Sequence, residues 1–101
     1  MATVGVIGPF RGERPLGPGE SVWMDLGEHD GFENCALSIS ASGGGDENGT
    51  YVLKVDDVNI SCVRTSHGDI DNRHWHAGCN ITNTGQITVR RWSVLVGVIV
   101  P

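Results

Sequence analysis

The stretch Gln86 to Pro101, Q-I-T-V-R-R-W-S-V-L-V-G-V-I-V-P, is the densest run of β-branched residues in the chain. Val, Ile and Thr lose side-chain freedom in a helix but fit a pleated surface. The run is shorter than the about 20 apolar residues a membrane helix needs. Arg90-Arg91 and Gly97 also break its apolar character. It reads as a β-strand.

Its face pattern says more. Ile87 and Val89 share one parity, whereas Trp92, Val94, Val96, Val98 and Val100 share the other. Side chains alternate along a strand, so a change of parity needs an extra residue or a bend. A β-bulge at Arg90-Arg91 supplies it. Leu95 and Ile99 make the second face apolar too, which is the habit of a strand in the middle of an assembly. That face calls for a cover: a loop, another sheet or another subunit.

Working outward, shorter strands are expected at Thr3 to Ile7, Ser21 to Leu26, Cys35 to Ser42, Tyr51 to Cys62 and His74 to Thr82. In the second of these, Val22, Met24 and Leu26 face one way, and Ser21, Trp23 and Asp25 the other. Cys35, Leu37, Ile39 and Ala41 alternate with polar or small residues. Within Tyr51 to Cys62 the apolar parity flips after Asp56-Asp57, which predicts a second bulge or a bend carrying the strand from one sheet to the other.

Between the strands, Phe10 to Glu20 is a loop rich in Pro and Gly, held to the body by Phe10 and Leu16. Gly27 to Asn34 is an acidic loop. Gly43 to Gly49 reads as a hairpin loop, with Asn48-Gly49 tolerating positive φ. Arg64 to Arg73 reads as a polar loop. No segment shows sustained helical spacing of apolar residues. Roughly six strands at this spacing predict an all-β fold with no substantial helix. The expected form is a small antiparallel β-sandwich, jelly-roll-like, with residues 1–101 as a single domain.

Composition narrows the partners. The chain has a formal net charge of −5. Phosphate binding rests on clustered Lys and Arg, and the only adjacent basic pair is Arg90-Arg91, so no nucleic-acid partner is expected. Anionic membrane surfaces are disfavoured for the same reason. M-A-T-V-G-V-I-G-P-F has neither the basic n-region nor the apolar h-region of a signal peptide, and no transmembrane segment follows. The chain is therefore read as intracellular or as a mature fragment with an added Met. Three cysteines, Cys35, Cys62 and Cys79, cannot all pair within one chain. By parity all three look inward, so buried free thiols are expected, with a Cys62–Cys79 bridge as the rival.

Two constellations could carry function. Ser66 to His76, S-H-G-D-I-D-N-R-H-W-H, gathers His67, Asp69, Asp71, His74 and His76. His74 and His76 leave the same face of a strand, a spacing that can hold one transition metal such as zinc with a third ligand from the loop, such as His67 or Asp71. Calcium is a separate possibility, in the loops Asp69-Ile70-Asp71-Asn72 and Glu28-His29-Asp30-Gly31 with their hard oxygen ligands. The plainer reading is a solvated strand face beside a polar loop. Trp23 is the other feature. Opposite an apolar face, it points outward as a platform on which a sugar or peptide can stack, unless a loop or subunit covers it. No G-x-S-x-G elbow or Walker loop occurs.

The leading expectation is thus a non-enzymatic binding module, carbohydrate-binding and lectin-like, with Trp23, His74, His76 and Asn80 exposed on its ligand face. The alternative is a structural, self-assembling subunit of a shell, decoration or fibre, a homo-oligomer formed through the C-terminal strand. A metal-dependent enzyme comes third.

Overall fold

The computed structural model describes residues 3–67 and 70–101, without the side chains of Asp30, Ser66, His67, Ile70 and Asp71. The six strands are β1 (Thr3–Arg11), β2 (Ser21–Glu28), β3 (Ala36–Gly44), β4 (Leu53–His67), β5 (Ile70–Asn83) and β6 (Arg91–Val100). One short 3-10 turn, Asp30–Asn34, follows β2. The strands form two three-stranded antiparallel sheets, ordered β1-β6-β3 and β2-β5-β4.

The C-terminal run is the middle strand of its sheet: Val96 lies between Ile7 of β1 and Ile39 of β3. The parity change falls where expected, by a different device. The ladder stops at Arg90, whose amide bonds the Gly44 carbonyl, and Val89 forms an isolated bridge with Leu16. That interruption lets both Val89 and Trp92 turn inward. The second parity flip is a bulge between Asp56 and Asn59, with Asp57 at φ 52°, a left-handed conformation that Asp tolerates. β4 stays paired with β5 on both sides of the bulge, so the strand does not change sheet.

Both sheets feed one core. Ala77, Cys79 and Ile81 of β5 and Trp92, Val94 and Val96 of β6 are buried, joined by Leu16, Leu26, Phe32 and Val89. Burying a side chain the size of Val94 or Val96 stabilises by roughly 1.5–3 kcal/mol. Asn83 is the buried polar residue among them, and its side chain is fully used. Its Nδ2 donates to the carbonyls of Leu16 and Ile87, and its Oδ1 accepts from the Gly85 amide. Asn83 thereby ties the Pro-rich loop to the turn before β6.

Two expectations need correcting. Gly43 to Gly49 is no hairpin loop, because β3 pairs with β6 and β4 with β5, so this segment crosses between sheets. Arg64 to Arg73 is no plain loop either. β4 and β5 continue as a ribbon to the pair His67–Ile70, because ladder hydrogen bonds sustain a strand whose both faces are wet. This arm projects about 20 Å past its root, at about 3.4 Å per residue. It accounts for a radius of gyration of 16.1 Å, against roughly 13 Å for a compact chain of this length. The outer face of β6, for which a loop, a sheet or another subunit is expected as cover, finds none among the described residues: Leu95 is 44 % exposed, and beside it Val4 and Val6 of β1 are 68 % and 65 % exposed.

Candidate functional site

Because Met24 and Leu26 of β2, Ile60 of β4 and Ala77, Cys79 and Ile81 of β5 pack in or against the core, their strand neighbours must face outward. The outer face of the β2-β5-β4 sheet therefore carries Trp23 and Asp25, then His74, His76, Gly78 and Asn80, then Asn59 and Ser61. It is a polar face with one large aromatic on it.

Trp23 is 51 % exposed and its indole lies across Gly78. A Cβ at Gly78 would sit 2.4 Å from Trp23 Cζ2, so the missing side chain makes the seat in which the ring rests. Beyond the ring, Trp23, Asp25, Asn59, Ser61 and His76 bound a shallow groove of about 250 Å³. One oxygen of Asp25, Oδ1, accepts from the Gly27 amide at 2.8 Å, which fixes the carboxylate. Asn80 stands directly across the ladder from Trp23, with its Nδ2 3.4 Å from Thr82 Oγ1. A carboxylate, an amide, a hydroxyl and an imidazole around one apolar plate can bond hydroxyl groups while the plate takes a C–H face.

Of the residues expected on the ligand face, Trp23 and His76 border one groove and Asn80 flanks the ring. His74 sits apart, nearer the arm, where its Nδ1 is hydrogen-bonded to Glu28 Oε1. The metal reading also needs Asp69, which lies outside the described residues, and the side chains of His67 and Asp71, which are not described. Among the described residues no three His, Cys, Asp or Glu side chains gather as a metal-holding group. Asp25, Asn59, Ser61 and Gly78 were missed. Asp25 shares the parity of Trp23 and was within reach of the sequence. Asn59 and Ser61 needed the register of β4 against β5, which the bulge resets.

Other hollows adjoin or oppose this face. On the other side of Trp23, Arg11, Glu13, Arg14 and Trp92 help to line a groove of about 300 Å³. Arg11 and Trp92 also border a third, of about 570 Å³, with Arg90, Arg91, Ser42 and Ser93. Arg90-Arg91 is thus not an isolated basic pair. A cleft of about 650 Å³ opens at the root of the arm between Phe32, Cys35, Ile60, Trp75 and Ile99. Apart from Glu33 and Asn34 its walls are apolar, with few groups to orient a ligand.

All three cysteines are free. Only Cys79 is buried; Cys35 is half-buried and Cys62 is exposed. The expectation of three buried thiols fails because Cys62 lies at the root of the projecting ribbon, where the inward-facing parity no longer has a body to face. Burial pushes the Cys79 thiol above its ordinary range. Among the described residues no helix is long and apolar enough to cross a membrane. Comparison with family models, with curated proteins and with solved structures finds no match to this chain.

Proposed function

We propose that this protein is a non-enzymatic, lectin-like carbohydrate-binding module, built as a β-sandwich of jelly-roll kind. One observation carries the reading: a half-exposed tryptophan lies on a strand face, seated over Gly78, with Asp25, Asn59, Ser61 and His76 around it. A pyranose presents an apolar C–H face and a rim of hydroxyls, and such a surface offers both complements. The groove is shallow, which suits one or two sugar units of a longer chain rather than an enclosed ligand.

The test is a glycan array with the wild-type chain, with and without chelator, followed by calorimetry on Trp23→Ala. The expected result is glycan binding that Trp23→Ala weakens by at least about tenfold, given roughly 0.5–1.5 kcal/mol for the aromatic geometry beyond its buried area. The variant should unfold at the same temperature, because the side chain is not in the core. Loss of binding on chelation would move the site to the histidine and carboxylate cluster. An array with no bound glycan ends the reading.

A second reading, a self-assembling structural subunit that forms homo-oligomers through its C-terminal strand, is favoured by the opposite face. Val4, Val6, Leu95 and Ile99 stand outward on the β1-β6-β3 sheet beside Ala36, Ser38, Ser40 and Gly97, with no ionisable side chain among them. A chain of net charge −5 meets a copy of itself most cheaply where neither surface is charged.

A further inference from the structure

We propose that the ligand of the Trp23 face is an acidic saccharide, whose anionic group is held in the groove between Arg11, Arg90 and Arg91. The inference rests on the carbohydrate reading and names its ligand class.

The distribution of charge is the first support. The chain has seven Lys and Arg against twelve Asp and Glu. Four of the seven, Arg11, Arg14, Arg90 and Arg91, line two grooves that share Arg11 and Trp92 as a common wall. The first of these grooves has Trp23 on its other side. A ligand stacked on the indole therefore reaches the guanidinium groups by running over the β2 edge, through the first groove, to the Arg11 end of the β1-β6-β3 sheet. Arg91 contacts Asp46 at 3.2 Å, but both side chains are more than three-quarters exposed, so the pair is solvent-screened and easily exchanged. Arg11 and Arg90 make no ion pair among the described residues.

Register gives the second support. Arg11 pairs with Ser93 of β6, and Ser93 pairs with Ser42 of β3. Directly paired residues share a face, so one guanidinium and two hydroxyls form a row of donors across the end of the sheet. Such a row matches a carboxylate or sulfate ester, which the planar Arg fork holds with two charge-assisted bonds. The backing is firm. The Trp92 indole donates to the Arg14 carbonyl at 2.8 Å, and the Gly12 amide donates to the Trp92 carbonyl at 2.9 Å. A Cβ at Gly12 would lie 2.0 Å from the Trp92 ring. The Arg11–Arg14 segment thus lies directly on a buried tryptophan, which sets the height of its guanidinium groups between the two grooves.

A polyanion such as single-stranded nucleic acid is the other class with an affinity for arginine and an aromatic plate. The same surface argues against it. Glu13 and Asp25 border the groove beside Trp23, and Asp46 stands beside Arg91. Carboxylates accept hydrogen bonds from sugar hydroxyls but repel successive phosphates, which need an unbroken basic track and several stacking rings. Sparse charge on a hydroxylated ligand fits the mixture.

The experiment is calorimetric titration of the full chain with four probes: an oligogalacturonate (carboxylate), a heparin tetrasaccharide (sulfate ester), a neutral cello-oligosaccharide and oligo(dT). An acidic glycan is expected to bind at least about tenfold tighter than the neutral one, as hydrogen bonds to charged groups imply, and to weaken as salt is raised. Which of the two acidic probes wins identifies the anionic group. An Arg11→Gln/Arg90→Gln double variant, checked for an unchanged melting temperature, should lower the ratio of acidic to neutral affinity about tenfold. Equal affinity for acidic and neutral glycans, or a ratio untouched by the double variant, overturns the inference; the carbohydrate reading then still stands on Trp23-dependent neutral binding. Oligo(dT) binding that displaces the glycans and needs the same arginines overturns the saccharide assignment. No binding of any glycan overturns both readings.

Discussion

Cys62, Cys35 and Cys79 lie at three depths, exposed, half-buried and buried, and their chemistry should follow. With a thiol-reactive dye Cys62 should react first and Cys35 more slowly, while Cys79 should wait for unfolding; a fast third equivalent under native conditions contradicts the core described above. Cys79 also bears on alkaline stability. Its folded thiol titrates above its unfolded value because burial disfavours the thiolate. Its contribution is therefore complete below the unfolded thiol range, about 8.5, and is lost as pH climbs through the higher folded value. Urea midpoints measured across that range should fall with rising pH. Cys79→Ala, less stable throughout, should lose that part of the slope. Alternation along β5 was enough to turn Cys79 inward from sequence. For Cys62 the same rule gave the right parity and the wrong burial, because parity says which side a residue faces and not whether anything is there.

The β4–β5 arm shows the same limit over a longer stretch. Hydrogen bonds join its strands out to His67–Ile70, but β2 accompanies β5 only as far as His76, and His29 caps it with one bond to the Trp75 carbonyl. Beyond that point the ribbon has two strands, both wet, and an isolated two-stranded ribbon is marginal in water. Amide hydrogen exchange should divide the two strands accordingly. Amides at Val55, Ala77 and Ile81 should exchange only with global unfolding, and those of Val63 to Thr65 and of Asn72 to His74 orders of magnitude faster. Uniform protection along β4 would mean that something covers the arm in solution. The sequence made the body strands legible because each has one apolar face and one polar face. It hid the arm, since a ribbon wet on both sides has the composition of a loop. The Phe32 turn was hidden for a related reason: a lone aromatic in an acidic segment carries no period, yet Phe32 is among the most buried side chains. At the candidate site Trp23 could be read from one strand alone, whereas its partners on β4 and the arginines around Arg11 depend on which strands become neighbours.

For the whole molecule, the two outer faces differ in kind. The β2-β5-β4 face is polar around Trp23, and the β1-β6-β3 face is apolar at Val4, Val6 and Leu95 and carries Arg11 and Arg91 at one end. Three strands of this length cover roughly 400 Å² of plane, so two copies packed face to face bury on the order of 1,000 Å², near the lower bound for a specific interface. Light scattering should accordingly find a mass that rises with concentration in the micromolar range. Leu95→Lys should hold the chain at monomer mass with its melting temperature unchanged, since an exposed substitution costs within about 0.5 kcal/mol. Wild-type chain that stays monomeric at about 100 µM removes the assembly reading. A different consequence follows from β6 standing between β1 and β3. Strands β2, β4 and β5 have all left the ribosome once Asn83 is out, so their sheet can close early. β1 is made before the other five strands, and among the described residues its partner is β6, made after them all, from Thr3 opposite Val100 to Arg11 opposite Ser93. Throughout synthesis the valines of β1 wait without a neighbour, and a stall or nick ahead of Arg91 strands β1 and β3 together.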